Sequence, residues 1–138
     1  VYKRQPYQAL DYTRDRLQPT DGVIKLVALA KSEIAGFCEL VTYPDVPRHR
    51  HVGEIDMIAV HEKWRGHGVG AALMGAMVDL ADNWLQVRRL SLTVWTSNAS
   101  AIALYENFGF NIEGTIPEFA FGEGKYVDAH LMGRLNRQ

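Results

Sequence analysis

Glycines alternate with other residues in the segment RGHGVG, which spans residues 65–70 and stands directly before an apolar run with helical spacing. Glycine leaves the backbone N–H groups of a turn unobstructed, and the first N–H groups of a helix have no partner inside that helix. Together with the positive end of the helix dipole, such groups bind phosphate or pyrophosphate. The alternative is purely structural, because glycine also lets a turn pack closely.

The spacing of this segment excludes two common nucleotide-binding fingerprints. A P-loop needs Lys and then Ser or Thr after its last glycine, and neither follows here. A dinucleotide-binding turn is also excluded, because Ala71 and Ala72 follow Gly70 and no acidic residue closes a following parallel strand at the required distance. A phosphate bound here would therefore belong to another class of cofactor.

A second block with chemical potential, SNASAIALYENFGF, spans residues 97–110. Asn98 stands at a strand-to-helix junction, where its side chain would serve well as a helix N-cap. Tyr105 lies two turns into the helix, among apolar residues with which it could simply pack. Its phenol could equally donate a proton, since tyrosine is one of the side chains used in general acid–base catalysis.

Together the two blocks resemble the GNAT superfamily, the Gcn5-related N-acetyltransferases. The family pattern [QR]-x-x-G-x-[GA] is met by Arg65, Gly68 and Gly70, and N-x-x-A-x-x-x-Y-x-x-x-G-F by Asn98, Ala101, Tyr105, Gly109 and Phe110. The resemblance covers residues 26–135. Segments 82–85, 92–94, 112–115 and 126–129 are most similar to bacterial L-amino-acid N-acetyltransferases, while SNASAIALYENFGF is also similar to enzymes that acetylate ribosomal-protein N-termini.

The resemblance implies acetyl-CoA as the co-substrate, and no metal. Its pantetheine arm would lie between the third strand and the strand at residues 90–95, and its pyrophosphate on the N–H groups of the glycine segment. Asn98 would either contact pantetheine or cap its helix. The cofactor-binding residues expected on this basis are Ile58, Ala59, Val60, Arg65, Gly66, His67, Gly68, Val69, Gly70, Ala71, Asn98, Ala101 and Tyr105.

The implied reaction is direct attack of a neutral amine on the thioester in a ternary complex, without a covalent enzyme intermediate. Tyr105 is expected to return a proton to the departing thiolate, because a phenol pKa of about 10 lies near that of an alkyl thiol. The base is Glu54, Asp56 or water alone. The two carboxylates share strand parity with Ile58 and Val60, so one of them is expected to face the amine.

The resemblance implies a small-molecule amine as acceptor, with a free amino acid as the first expectation. The alternatives are a protein N-terminal acetyltransferase of the ribosomal-protein type and a non-catalytic acetyl-CoA-binding module. Phe119, Phe121 and Tyr126 flank the last predicted hairpin, where the family often forms its acceptor pocket, and favour an apolar acceptor side chain. His49 and His51 have no third metal ligand nearby, so a solvated loop is the expectation there.

Composition limits the class of protein. The 138 residues are 47% hydrophobic and 22% charged, and 15 basic and 16 acidic side chains give a net charge of −1. This balance argues against nucleic acid or an anionic membrane as a partner. The lone cysteine, Cys38, allows no internal disulfide, so a reducing cytoplasm is expected. A homodimer would be in keeping with family habit.

The elements that must position these residues follow from apolar periodicity and turn residues. We expect a helix at 6–17, strands at 24–30, 34–43 and 54–60, a helix at 68–86, a strand at 89–95, a helix at 99–108 and a hairpin of 110–121 with 126–135. This order predicts an α+β fold with a mixed, mostly antiparallel sheet flanked by helices. The GNAT resemblance adds a sheet splayed in the middle and a chain that lacks the first strand and helix of the family.

The chain begins with VYKRQ, without an initiator methionine or the pattern of a signal peptide. The DNA sequence GTG TAT AAG AGA CAG, which encodes these five residues, ends a widely used transposase sequencing adapter. We therefore expect residues 1–5 to be a non-native leader and residues 6–138 to be one acetyltransferase domain, truncated at its N-terminus. A chain trimmed to a stable fragment is the alternative.

Overall fold

The computed structural model describes residues 22–137, in which six strands and two α-helices follow one another in the predicted order. These elements are β1 (Val23–Ala30), β2 (Glu33–Thr42), β3 (Val52–Val60), α1 (Val69–Asp79), β4 (Arg89–Trp95), α2 (Ala99–Asn107), β5 (Asn111–Gly122) and β6 (Lys125–Leu135). The predicted helix at 6–17, the proposed leader and the expected loss of the first family elements lie outside the described residues.

Two tight turns with left-handed backbone close the hairpins. Lys31 and Ser32, with φ of 51° and 67°, join β1 to β2, and Glu123 and Gly124, with φ of 54° and 78°, join β5 to β6. Positive φ at both central residues is the conformation whose twist matches that of antiparallel strands. The hairpin predicted at 110–121 and 126–135 closes at the second of these turns, and the strands predicted at 24–30 and 34–43 flank the first.

The sheet has the strand order β1-β2-β3-β4-β6-β5, and its contacts are antiparallel except between β3 and β4. The parallel contact is short, because only Val52–Glu54 of β3 pair with Arg89–Ser91 of β4. Beyond this point the two strands separate, while each keeps its antiparallel neighbour on the other side. The predicted α+β fold and the splay in the middle of the sheet are confirmed.

Both helices pack on one face of the sheet and form the core with it. Leu73, Met74 and Met77 of α1 are almost fully buried against apolar residues of the central strands. Each such side chain contributes roughly 1.5–3 kcal/mol on burial. The core residues of the strands and of α2 are Cys38, Leu40, Ile55, Leu90, Leu92, Val94, Ala101, Tyr105 and Met132.

A β-bulge at Asp56 interrupts the alternation of β3. Leu40 of β2 lies opposite Ile55 and Glu39 opposite Met57, so Asp56 is the extra residue. As a result Ile55 and Ile58, three residues apart, both pack in the core on the helix side. The expectation that the carboxylates at 54 and 56 share parity with Ile58 is therefore wrong, because the bulge resets the alternation between them.

Arg134 of β6 joins the ends of both helices. Its guanidinium donates two hydrogen bonds to the carboxylate of Asp82, at 2.9 and 2.8 Å, and its Nε donates to the carbonyl of Phe108 at 3.1 Å. Asp82 lies in a π-helical turn, Leu80–Trp84, that prolongs α1, and Phe108 ends α2. The hydrogen bonds from Arg134 lower the pKa of Asp82, although partial burial opposes this shift.

Within residues 22–137, neither helix has the length and apolar character that a membrane crossing requires.

Candidate functional site

The glycine segment forms an open turn between β3 and α1. Gly66 and Gly68 both have φ of +79°, and a Cβ atom added to either would meet nothing within 4 Å. Their left-handed backbone favours glycine, whereas the packing around them would leave room for a side chain. Gly70 differs, since a Cβ there would lie 3.3 Å from the side chain of Leu104 on α2. The first two glycines therefore border empty space above the start of α1.

The N-terminus of α1 is open to an incoming group. Gly68 is its N-cap and provides no side-chain hydrogen bond, and the backbone bond from Ala72 N–H to the Gly68 carbonyl at 3.0 Å starts the helical pattern. The N–H groups of Val69, Gly70 and Ala71 therefore have no acceptor within the helix. An anion here would receive these donors and the positive end of the helix dipole.

Side chains around the turn hold its shape. Lys63 forms an ion pair with Glu33 at the tip of the β1–β2 hairpin, with 2.9 Å between Nζ and the carboxylate. The ring of His67 packs edge-on against Trp64 at 5.5 Å between centroids, and its Nδ1 lies 3.0 Å from the Arg65 carbonyl. The side chain of Arg65 is exposed, and its only ion pair within residues 22–137 is a long one, with 4.0 Å between Nη1 and the carboxylate of Glu62. Its guanidinium thus remains available to a ligand.

The gap between β3 and β4 opens toward the same end of the molecule. Residues 55–60 of β3 have no partner in β4, so one edge of this strand presents unused backbone groups. The sequence predicted residues 58–60 as the open edge. In the structure this open edge is longer and begins at Ile55. Both α1 and α2 begin at the ends of the two separating strands. The open edge and the two helix starts therefore surround one gap.

Asn98 is the N-cap of α2. Its Oδ1 accepts hydrogen bonds from the backbone N–H of Ala101 and the hydroxyl of Ser100, each at 3.3 Å. The capping role that the sequence allowed is thus present. A contact with pantetheine would have to come from the remaining amide group, Nδ2, and stays a prediction.

Tyr105 lies inside the core on the helix side of the sheet. Its side chain is 4% exposed, and its ring lies 6.3 Å from that of Phe110. Burial raises the pKa of Tyr105 to about 12, so the phenol is protonated at all ordinary pH values. Tyr105 therefore packs in the core, which was one of the two roles that the sequence allowed. A protonated hydroxyl is also the form that a proton donor needs.

Glu54 and Asp56 are both exposed. Glu54 pairs with Ser91 in the last rung that joins β3 to β4, so it stands where the gap begins. Because the neighbouring Ile55 faces the helices, Glu54 points to the opposite side of the sheet. The structure thus separates this carboxylate and Tyr105 by the sheet itself, with the gap between them.

Tyr43 was missed from the sequence. It follows β2 and lies beside Glu54 across the strands. Burial and the negative charges of the nearby Glu54 and Asp56 carboxylates raise the pKa of Tyr43. The only signal that could have found it is the register of β2 against β3, which apolar periodicity does not provide.

The last hairpin carries three exposed aromatic side chains, Phe119, Phe121 and Tyr126. Phe121 and Tyr126 form a cross-strand pair with 5.3 Å between ring centroids. Phe119 lies in an irregular stretch of β5 between Ile116 and Ala120, where Glu118 has φ of 48° and donates its N–H to the carboxylate of Asp128 at 2.8 Å. Aromatic surface is therefore present where the sequence predicted it, and a role for it in acceptor binding stays a prediction.

Other reactive side chains do not form a second centre in the described range. Cys38 is fully buried, and burial raises its pKa to about 11, so it is a poor nucleophile. His49 and His51 are exposed, and residues 22–137 contain no group of three or more potential metal ligands. His130 is half-buried, with Nδ1 2.9 Å from the hydroxyl of Thr115.

Comparison with known proteins agrees with this geometry. The family model described as the acetyltransferase (GNAT) family matches residues 2–110. An L-amino acid N-acetyltransferase of Escherichia coli K12 is 38% identical over 130 residues, which cover 94% of this chain and 79% of that protein. The alanine N-acetyltransferase of ribosomal protein bS18 from the same strain is 43% identical, but over 65 residues, or 43% of this chain and 38% of that protein.

A solved structure shares the fold. The GCN5-related N-acetyltransferase from Kribbella flavida superposes with a TM-score of 0.81 at 28% identity, and the match covers 98% of this chain and 82% of that one. The splayed sheet, the glycine turn at the start of α1 and these similarities point to one conclusion. The chain belongs to the GNAT family of acetyltransferases and is an acyltransferase, as its two sequence blocks predicted.

Proposed function

We propose that this enzyme transfers an acetyl group from acetyl-CoA to the amine of a free amino acid or a similar small primary amine. The observation that carries the proposal is the meeting of three features at one end of the sheet. These are the open glycine turn, the uncapped start of α1 and the unpaired edge of β3. Each offers backbone donors or acceptors to an elongated, phosphate-bearing molecule.

Acetyl-CoA would supply an activated acetyl thioester. The N–H groups of residues 69–71 and the guanidinium of Arg65 would hold its pyrophosphate, supported by the turn that His67 helps to shape. The backbone of residues 58–60 would pair with its amide groups. Gly66 and Gly68 fit this role because the space above them is empty, and a side chain at either position would fill it.

Two side chains would manage the protons of the transfer. As the amine nitrogen bonds to the carbonyl carbon, Glu54 would accept the proton that the nitrogen loses, directly or through water. As the carbon–sulfur bond breaks, Tyr105 would give a proton to the sulfur. The two groups flank the gap from opposite faces of the sheet, so they could act on opposite ends of the reacting centre. Asp56 and water alone remain the alternatives for the base.

The acceptor class is supported by the extent of the similarity. The sequence match to the L-amino acid enzyme runs along nearly the whole chain, whereas the sequence match to the ribosomal-protein enzyme covers less than half of it, although that enzyme shares the fold of this chain. Exposed Phe119, Phe121 and Tyr126 favour an apolar side chain on the acceptor. A cytoplasmic location, and a small molecule instead of nucleic acid or membrane as partner, belong to the same proposal.

Acetylation of protein N-termini is the second candidate, favoured by the 43% identity to the bS18-alanine enzyme over 65 residues. A binding module without chemistry is the third. Its weakness is that Tyr105 is retained and protonated.

An amine panel separates these candidates. Release of CoA thiol from acetyl-CoA would be followed with free L-phenylalanine, L-methionine and L-alanine, with spermidine, and with a peptide that begins with alanine. We expect turnover with free amino acids, highest for the apolar ones. Turnover on the peptide alone would favour the N-terminal enzyme, and binding of acetyl-CoA without turnover on any amine would favour the module.

A further inference from the structure

We infer that Trp95 is a specificity-determining residue, whose indole ring forms the apolar surface against which the side chain of the acceptor amine packs. Gly122 holds the ring in place. The inference deepens the proposed function and rests on it, because this surface matters only if the enzyme acetylates small amines that carry an apolar side chain.

Strand alternation places Trp95 on the same side of the sheet as Glu54. Glu54 pairs with Ser91 of β4, and Trp95 follows Ser91 by four residues on a strand without a bulge, so these side chains share a face. The neighbouring Val94 belongs to the core on the helix side, which puts Trp95 on the opposite face. The indole therefore lies on the side from which the proposed base would meet the amine.

Trp95 also stands beside the gap. It is the last residue of β4, beyond the three residue pairs that join this strand to β3, and its carbonyl accepts a hydrogen bond from the N–H of Asn98 at 3.0 Å. The four residues of strand from Ser91 to Trp95 amount to about 13 Å. This span has room for the Glu54 side chain, the amine and an apolar side chain placed end to end.

The indole ring lies against Gly122 at the end of β5. A Cβ atom added to Gly122 would be 2.5 Å from Cη2 of Trp95 and 3.1 Å from Cζ3, so a side chain there and the ring cannot occupy the same space. Gly122 is buried, whereas Ala120 is half-buried and the remaining residues of β5 are exposed. Trp95 itself is half-buried, so it keeps surface that a ligand could contact.

The aromatic pair of the last hairpin lies on the other face. Ala129 of β6 pairs with Trp95, so Tyr126, three residues before Ala129, faces the helix side together with its cross-strand partner Phe121. The sheet separates this pair from Trp95 and Glu54. Substitutions at Tyr126 and at Trp95 therefore test different sides of the molecule.

The test compares Trp95→Ala with the native enzyme, using kcat and KM for L-phenylalanine, L-methionine and L-alanine at saturating acetyl-CoA. We expect kcat/KM to fall about tenfold to a hundredfold for L-phenylalanine and L-methionine, and less than about threefold for L-alanine, because an apolar contact discriminates by such factors. The loss should lie in KM, with kcat within about twofold, since this contact binds the ground state and the transition state alike.

Gly122→Ala tests the same surface with the indole still present. The backbone of Gly122 lies outside the left-handed region and accepts alanine, and the new methyl group displaces the ring because the ring is the free end of a side chain. We expect a loss of about threefold to tenfold, confined to L-phenylalanine and L-methionine. Gly114→Ala is the matched control on the same strand, because a Cβ atom there meets nothing within 4 Å. Its kcat/KM should stay within about twofold of native for all three amino acids.

A second readout needs no turnover. In protein labelled with 5-fluorotryptophan, the ¹⁹F signal of Trp95 would be assigned through Trp95→Phe. Gly122→Ala should shift this signal in the free protein, whereas Gly114→Ala should not, and L-phenylalanine added with CoA to the native protein should shift it as well. A Trp95 signal that Gly122→Ala or L-phenylalanine leaves unmoved would overturn the inference.

The outcomes separate the inference from the proposed function. Should Trp95→Ala, with native thermal unfolding, change kcat/KM by the same factor for all three amino acids, the inference fails and the proposed function stands. The same holds if Tyr126→Ala produces the selective loss instead. If the native enzyme acetylates none of the three, the proposed function fails and the inference falls with it. If Trp95→Ala unfolds, Gly122→Ala and its control decide.

Discussion

The two helices of the described chain begin in opposite ways. α1 starts at Gly68, which has left-handed backbone and no side chain to satisfy the first N–H groups. α2 starts at Asn98, whose Oδ1 accepts from the Ala101 N–H and completes the cap within the chain. Both starts lie beside the gap between β3 and β4, but a side chain accepts from a first-turn N–H group of α2, whereas no side chain of residues 22–137 caps α1.

The same helices end alike. The π-helical turn after α1 and the last carbonyl of α2 both bind Arg134 of β6. α2 also closes with the Phe110 N–H donating to the Tyr105 carbonyl at 3.1 Å, around Gly109 with φ of +90°. The helix ends away from the gap are thus fixed by other protein groups. The helix starts at the gap differ, because Asn98 caps α2 and no side chain in the described part of the chain caps α1.

If α2 contributes a catalytic side chain to the site, and not its N-terminus, Tyr105→Phe should lower kcat more than any other substitution proposed here. We expect kcat to fall about 100-fold or more, because a positioned proton donor is worth that much, while acetyl-CoA affinity stays within about twofold. Since burial raises the pKa of Tyr105 to about 12, the native enzyme should show no loss of kcat from this group below about pH 11. Steady-state kinetics and calorimetry measure both quantities, and unchanged kcat would remove Tyr105 from the mechanism.

If α1 contributes its N-terminus, Gly68→Val should weaken acetyl-CoA binding about tenfold to a hundredfold. The substitution forces a β-branched residue into left-handed backbone and fills the space above the turn. Gly124→Val is a matched control, because Gly124 has φ of +78° and open surroundings in the β5–β6 turn. Isothermal titration with acetyl-CoA compares them, and equal affinity losses in the two variants would contradict a phosphate site at the turn.

Asn98 has two candidate roles, capping α2 and contacting acetyl-CoA, which protein stability and ligand affinity can separate. Asn98→Ala should lower the free energy of unfolding by about 1 kcal/mol through the lost cap, and Asn98→Ser should restore most of it. If Asn98 only caps α2, the Ser variant binds acetyl-CoA like the native enzyme. A Ser variant with native stability but weakened acetyl-CoA binding would show that Nδ2 contacts the ligand. Chemical denaturation and titration calorimetry provide the two measurements.

The shared helix ends predict a smaller effect that depends on pH. The pKa of Asp82 is lowered in the folded protein, so its contribution to stability is complete above the unfolded value of about 4 and is lost as pH falls from there through the lowered pKa of the folded state. Asp82→Asn should therefore cost of order 1 kcal/mol at pH 7, and the difference from native should shrink below about pH 4. Urea unfolding at pH 7 and pH 3 checks this, and an equal difference at both pH values would contradict it.

Most of the fold was predictable because it depends on local patterns. Apolar strands, helical spacing and turn residues located the six strands and α2 in residues 22–137 to within a few positions, whereas the helix predicted at 68–86 is α-helical only over Val69–Asp79 and continues as the π-helical turn Leu80–Trp84. The bulge at Asp56 was not predictable from alternation, because EIDMIAV is apolar enough to satisfy either parity. The three-residue spacing of Ile55 and Ile58 is a hint of it, visible only once both are known to be buried.

In the candidate site too, residues in short motifs were predictable and residues that depend on long-range contacts were not. The glycine turn, Asn98 and Tyr105 belong to short motifs, so their place in the chain was readable from spacing. Tyr43 and the π-helical turn at Leu80–Trp84 depend on strand register and on the Asp82–Arg134 contact, which join residues far apart in sequence. Such contacts leave no periodic signal, and they had to be read from the structure.

The three parallel residue pairs between β3 and β4 also mark a boundary within the sheet. They divide the sheet into β1-β2-β3 and β4-β6-β5, and each half is contiguous in sequence and closed by its own hairpins. Within each half the paired strands are near neighbours in sequence, and the gap lies where the two halves meet. A molecule bound in that gap would contact both halves of the sheet and couple their local unfolding. Amide hydrogens in the two halves would then exchange with solvent as one cooperative unit instead of two.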